Sequence, residues 1–144
     1  GALAVRFGAE PTCAEEPTLG VRSLEAMALE NAVEGCVRET FGALSATLQA
    51  ERAQDPRVRA AMRRIATDET AHAGLAWAVK AWLDTRLDDA AKARLQEAMR
   101  LAADELAGEV AAEQPAILRD IAGLPTAAEA SRMVSGMQEA LWAA

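Results

Sequence analysis

Apolar positions recur at intervals of three and four along most of the chain, and the breaks in that period divide it into helices. From Leu24 to about Arg52, the residues Met27, Glu30, Glu34, Val37, Phe41, Leu44 and Leu48 fall on one face, an apolar stripe carrying two glutamates. Ser23 precedes it as an N-cap. The opposite face carries Ala28, Ala32, Gly35, Glu39, Gly42 and Ala46, mostly small enough to let another helix come close. Gln54-Asp55-Pro56 ends this helix and starts the next, with Asp55 as cap and Pro56 at the first helical position. The second helix runs to about Leu83, and its stripe is Val58, Met62, Ile65, Glu69, His72, Ala76, Val79 and Leu83. Arg57, Arg59, Arg63 and Arg64 cover the rest of its first half as a solvated face. The short connection folds the two helices into an antiparallel hairpin.

A third helix is predicted from about Asp89 to Glu113, with Leu95, Met99, Ala102, Leu106 and Val110 inward. Pro115 opens a short helical turn that ends at Gly123. Thr126 followed by Glu129 is a capping box, opening a last helix to about Trp142 with Ala130, Met133, Met137 and Leu141 inward. Gly8, Pro11, Pro17 and Gly20 punctuate residues 1–22, which read as an irregular arm. The expectation is an all-α antiparallel bundle of four main helices plus a short helical turn. The domain spans residues 23–144, with a core hairpin at 24–83 and C-terminal helices at 88–143.

Composition narrows the function. The chain has 144 residues, enough to bury roughly two-thirds of its unfolded surface in one domain. A formal net charge of −7 argues against nucleic acid, which needs a basic patch. No run of 18 apolar residues occurs, so no membrane span is predicted. Cys13 and Cys36 allow one disulfide or two free thiols; Cys36, beside Gly35, reads as a small buried packing residue. Trp77, Trp82 and Trp142 read as packing anchors, and Met99, Met133 and Met137 as core filler. The start at Gly1, without an initiator Met, together with the arm, leans towards an exported, processed protein or a piece of a longer one.

The chemistry concentrates at Asp68-Glu69-Thr70-Ala71-His72, which holds the single histidine of the chain. Glu69 and His72 are three apart and share a helix face. A Glu-x-x-His pair projecting from a bundle helix is half of the ligand pattern of a carboxylate-bridged di-metal site. Two ferrous or manganous ions about 3.5–4 Å apart need bridging carboxylates, and one imidazole per ion leaves positions open. Antiparallel pairing brings Glu34 and Glu39 near the level of the pair. Glu34 is preferred because it lies on the same stripe, and Glu39 is the second choice. Asp68 would support the site by hydrogen bonding to a neighbouring helix or imidazole. With one histidine, one chain supplies half of the set, and a two-fold dimer would supply all six ligands.

Glu34-Gly35-Cys36-Val37-Arg38-Glu39-Thr40, Asp55-Pro56-Arg57-Val58, Ile65-Ala66-Thr67-Asp68-Glu69 and His72-Ala73-Gly74-Leu75-Ala76-Trp77 also carry a resemblance. Over about residues 24–83 the chain resembles the second hairpin of bacterial ferritin-like proteins that carry two helical hairpins in tandem. The resemblance implies a ferritin-like bundle with Glu34, Glu69 and His72 as metal ligands, Glu39 as a ligand or a supporting group, and Asp68 behind them. It implies di-iron or manganese as cofactor, and Fe(II) oxidation or another oxidase step with dioxygen or peroxide. It also implies completion by a homodimer or by a second ferritin-like hairpin. The first hairpin of the tandem arrangement is missing, and the last two helices lack a Glu-x-x-His. Phe41 stands seven residues after Glu34, near where ferritins often carry a tyrosine. The rival reading is a non-catalytic helical interaction domain that retains a buried Glu/His cluster, with Glu69 or Glu34 bonded directly to His72.

Overall fold

The computed structural model of the chain describes residues 2–10 and 20–142. Every regular element among them is helical: α1 (Ala2–Arg6), α2 (Leu24–Glu30), a π-helical segment π1 (Asn31–Glu39), α3 (Thr40–Arg52), α4 (Pro56–Asp84), α5 (Asp89–Val110), α6 (Ala116–Ala122), α7 (Ala127–Met137) and a closing π turn, π2 (Gln138–Trp142). The elements α2, π1 and α3 form one continuous long helix. The expected arm is irregular only in part, since α1 gives it one short helix. Cys13, Pro11 and Pro17 lie outside the described residues.

Local chemistry sets the helix ends where the pattern placed them. The Ser23 hydroxyl accepts from Ala26 N–H, and the Asp55 carboxylate accepts from Arg57 and Val58 N–H with Pro56 at the first position. Asp88 caps α5, which stops at Val110 rather than Glu113. Gly123 follows α6 with φ of 70°, the left-handed conformation that terminates helices. The carbonyls of Asp120 and Ile121 accept the Gln54 and Asp55 N–H groups, so α6 seals the turn of the hairpin.

Thr126 and Glu129 form a reciprocal capping box at α7, and Arg52 reaches across to Glu129 at 2.8 Å. Hydrogen bonds from the Thr126 backbone first, and then from Arg52, hold the Glu129 carboxyl down at about 2, against an ordinary 4.5. A depressed folded-state pKa contributes stability that is present above about pH 4.5 and lost as pH falls towards about 2. The melting temperature of the wild type is therefore expected to fall more steeply across that window than that of Glu129→Gln. Parallel acid titration curves for the two would count against the box.

The core gathers Ala28, Ala32, Cys36 and Val37 from the first long helix and Ala76 and Leu83 from α4. Leu95, Met99, Ala102, Ala103 and Leu106 of α5 join them, with Val134, Met137 and Trp142 at the C-terminal end. This corrects the face assigned to the first long helix. Small residues make most of the buried face, through Ala28, Ala32, Gly35, Ala43, Ala46 and Ala50; of the expected stripe Val37 is buried and Phe41 and Leu48 are half-buried, whereas Met27, Glu30, Glu34 and Leu44 are exposed. The physical reason is close approach: at Gly35 an added Cβ would lie 2.5 Å from the Ala76 Cβ, so the backbones meet where large side chains could not fit. Inward Leu95, Met99, Ala102 and Leu106 are as expected, but Leu141 is exposed, and Trp142 is buried in its place. Trp82 is exposed and stacks under Arg86 at 4.0 Å instead of anchoring the core. Cys36 is a buried free thiol, and burial pushes its pKa up to about 11, which leaves it unreactive.

Candidate metal centre

The Gly35–Ala76 contact fixes the level of the site. Glu39 lies four residues beyond Gly35, and His72 lies four residues before Ala76. In an antiparallel hairpin both steps run in the same direction, by about one helical turn. Glu39 and His72 accordingly line one open depression of about 260 Å³, together with Asn31, Leu75, Ala76 and Val79. Glu69 flanks it, with its Oε2 3.8 Å from His72 Nδ1. That separation is beyond a hydrogen bond. Glu34 lines an adjoining depression with Arg22, Met27, Glu30 and Glu39. The structure thus puts Glu39, the second choice, in the same depression as His72, and the preferred Glu34 in the adjoining one.

Burial differs from expectation. His72 and Glu69 were expected on the core stripe, but the His72 side chain is 58% exposed and that of Glu69 is 32% exposed. No polar or charged residue is fully buried among the described residues. The hairpin seam of α4 runs through Val58, Met62, Ala66, Glu69, Ala73, Ala76, Lys80 and Leu83, all buried or half-buried. A second stripe runs beside it through Ile65, Asp68, His72, Leu75, Val79 and Trp82, and it faces solvent except at half-buried Val79. Spacings of three and four suit both stripes, so counting alone could not separate them. Asp68 makes no side-chain hydrogen bond or ion pair among the described residues, and so gives His72 no visible support.

The donor chemistry of Glu39, Glu69 and His72, two carboxylates and one imidazole, fits iron or manganese. The number does not complete a site: among the described residues no group of three or more His, Cys, Asp or Glu side chains is arranged to hold an ion. The direct Glu–His bond of a buried polar cluster is absent as well. No family model, curated protein or solved structure matches this chain. No helix is long and apolar enough to cross a membrane among the described residues.

Two polar residues inside the first long helix also bear on the site. Asn31 donates from Nδ2 to the Ala76 carbonyl at 3.0 Å, and the Trp77 indole donates to Thr40 Oγ1 at 3.1 Å. An amide and a hydroxyl in the middle of a long helix are helix-indifferent residues that need a tertiary reason. Both tie the first long helix to α4 beside Glu39 and His72.

Proposed function

We propose that this chain carries one half of a ferritin-like, carboxylate-bridged di-metal site for iron or manganese. In this reading Glu39, Glu69 and His72 are its ligands, and Glu34 is an acidic neighbour on the approach. The observation that carries the reading is the levelling of Glu39 with His72 on an open face of the hairpin. A metal held there would supply redox chemistry for Fe(II) oxidation or another oxidase step with dioxygen or peroxide. The side chains of the chain itself bind and orient. Glu39 and Glu69 present carboxylate oxygens from two helices, and His72 presents an imidazole nitrogen from the same helix as Glu69.

The open face explains why a half site would be left on the surface. Ile65, Leu75 and Trp82 flank His72, and Met27 lies beside Glu34, all more than two-fifths exposed. Covering such a stripe with a second Glu and Glu-x-x-His hairpin would double the donors to six and bury the apolar rim. A second copy of this chain or another hairpin of the same kind would serve. The same exposed stripe also favours a second reading, a helical interaction domain without metal.

The test is anaerobic loading of the purified chain with Fe(II) or Mn(II), read as metal per chain and as molecular mass. One metal per chain, in a species of twice the mass or with a second hairpin bound, is the expected result. A metal-free dimer would favour the interaction domain, and a metal-free monomer in the presence of excess ion would sink the di-metal reading.

A further inference from the structure

The first long helix changes winding where it meets the site. Nine residues, Asn31–Glu39, are π-helical between two α-helical stretches. A π turn carries an extra residue in the helix, is rare, and marks functional positions more often than chance. An extra residue of this kind is not tied to one place by the helix itself, since the same surplus could sit a turn earlier or later. Its place must come from contacts outside the helix.

Side chains of the helix itself, of α4 and of the C-terminal turn supply them. Asn31, the first π residue, donates to the Ala76 carbonyl at 3.0 Å. At the other end Thr40 Oγ1 donates to the Gly35 carbonyl at 3.2 Å while accepting from the Trp77 indole N–H at 3.1 Å. One hydroxyl has one proton to give, so both bonds are met at once. From the far side the Trp142 indole N–H donates to the Cys36 carbonyl at 2.9 Å. The buried seam through Ala28, Ala32 and Gly35 continues past half-buried Glu39 to Ala43, Ala46 and Ala50. At the end of the π segment Thr40 is held against Trp77, and Glu39, the residue before it, lines the same depression as His72.

We infer that Thr40 and Trp77 are positioning residues for Glu39: their hydrogen bond pins the π segment at the one place that sets this carboxylate in the same depression as His72. The inference rests on the metal reading for its consequence, but not for its geometry. The test compares Thr40→Val, which keeps the shape and loses the hydroxyl, with Thr40→Ser, which keeps the hydroxyl. Scalar couplings through the hydrogen bonds of the metal-free protein report which carbonyl each amide of residues 36–40 pairs with, and calorimetry reports Co(II) affinity. Thr40→Val is expected to return these amides to pairing four residues back and to weaken Co(II) binding about 10–100-fold. Thr40→Ser should match the wild type in both. Unchanged couplings in Thr40→Val overturn the inference, as do changed couplings with unchanged affinity. If the wild type binds no Co(II), the metal reading fails, and the couplings alone decide whether Thr40 pins the turn.

Discussion

The His72→Ala variant is expected to lose metal binding by more than about 100-fold while melting within about 2 °C of the wild type. The stability half follows from exposure: the side chain is 58% accessible and has no hydrogen bond, and surface substitutions of this kind stay within about 0.5 kcal/mol. The binding half follows from the donor count. His72 is the single imidazole of the chain, and groups that merely support metal ligands already cost about 10–100-fold when removed. In an assembly completed by symmetry, one substitution strips the imidazole from both ions. Co(II) titration followed by absorption and calorimetry, beside a thermal melt, separates the outcomes. Retained affinity would remove His72 from the site. A large fall in melting temperature would instead assign it a packing role that its exposure does not suggest.

Replacing Gly35 by valine is expected to destabilise the fold by about 3 kcal/mol or more, at the upper end of overpacking costs. The first added carbon would already stand 2.5 Å from the Ala76 Cβ and 3.7 Å from its Cα, so the helix backbones themselves must separate. Separation also stretches the Asn31 bond to the Ala76 carbonyl, which lies in the same contact. For a domain of this length the melting temperature should drop by about 10 °C. Gly74 provides the opposite case in the same hairpin. It is an exposed helical glycine with nothing within 4 Å of an added Cβ, so Gly74→Ala should stabilise by about 0.5–1 kcal/mol. A Gly35→Val protein as stable as the wild type would show that the seam is looser than its geometry states.

Helix ends were legible in the sequence because they depend on neighbours in the chain. Ser23, Asp55-Pro56 and the Thr126–Glu129 pair act over three residues, and each works where the pattern placed it. The buried face of the first long helix was legible only in part, through Val37 and Phe41. Large apolar side chains at Met27 and Leu44 outweighed alanines in the pattern, yet closeness of approach decided the packing, and the small residues won. The π segment left no mark in composition, because a surplus residue alters spacing by one and resembles scatter in a period of three and four. Glu69 and His72 were legible as a pair, but only Glu69 sits on the seam, half-buried, while His72 faces solvent. Their stripe and the true seam differ by one residue at Ile65 and Ala66, at His72 and Ala73, and at Val79 and Lys80.

The seal that α6 places on the hairpin turn has a mechanical consequence. Backbone bonds from Gln54 and Asp55 hold one end of the helix pair, and the core around Ala28 and Leu83 holds the other. Glu39 and His72 fall close to mid-span between these two supports. Contacts at both ends oppose scissoring of the pair, so its middle is pre-ordered for anything that docks there. Stiffness there costs the chain no loops and no disulfide, and it spares an incoming partner the entropy of ordering the surface it lands on.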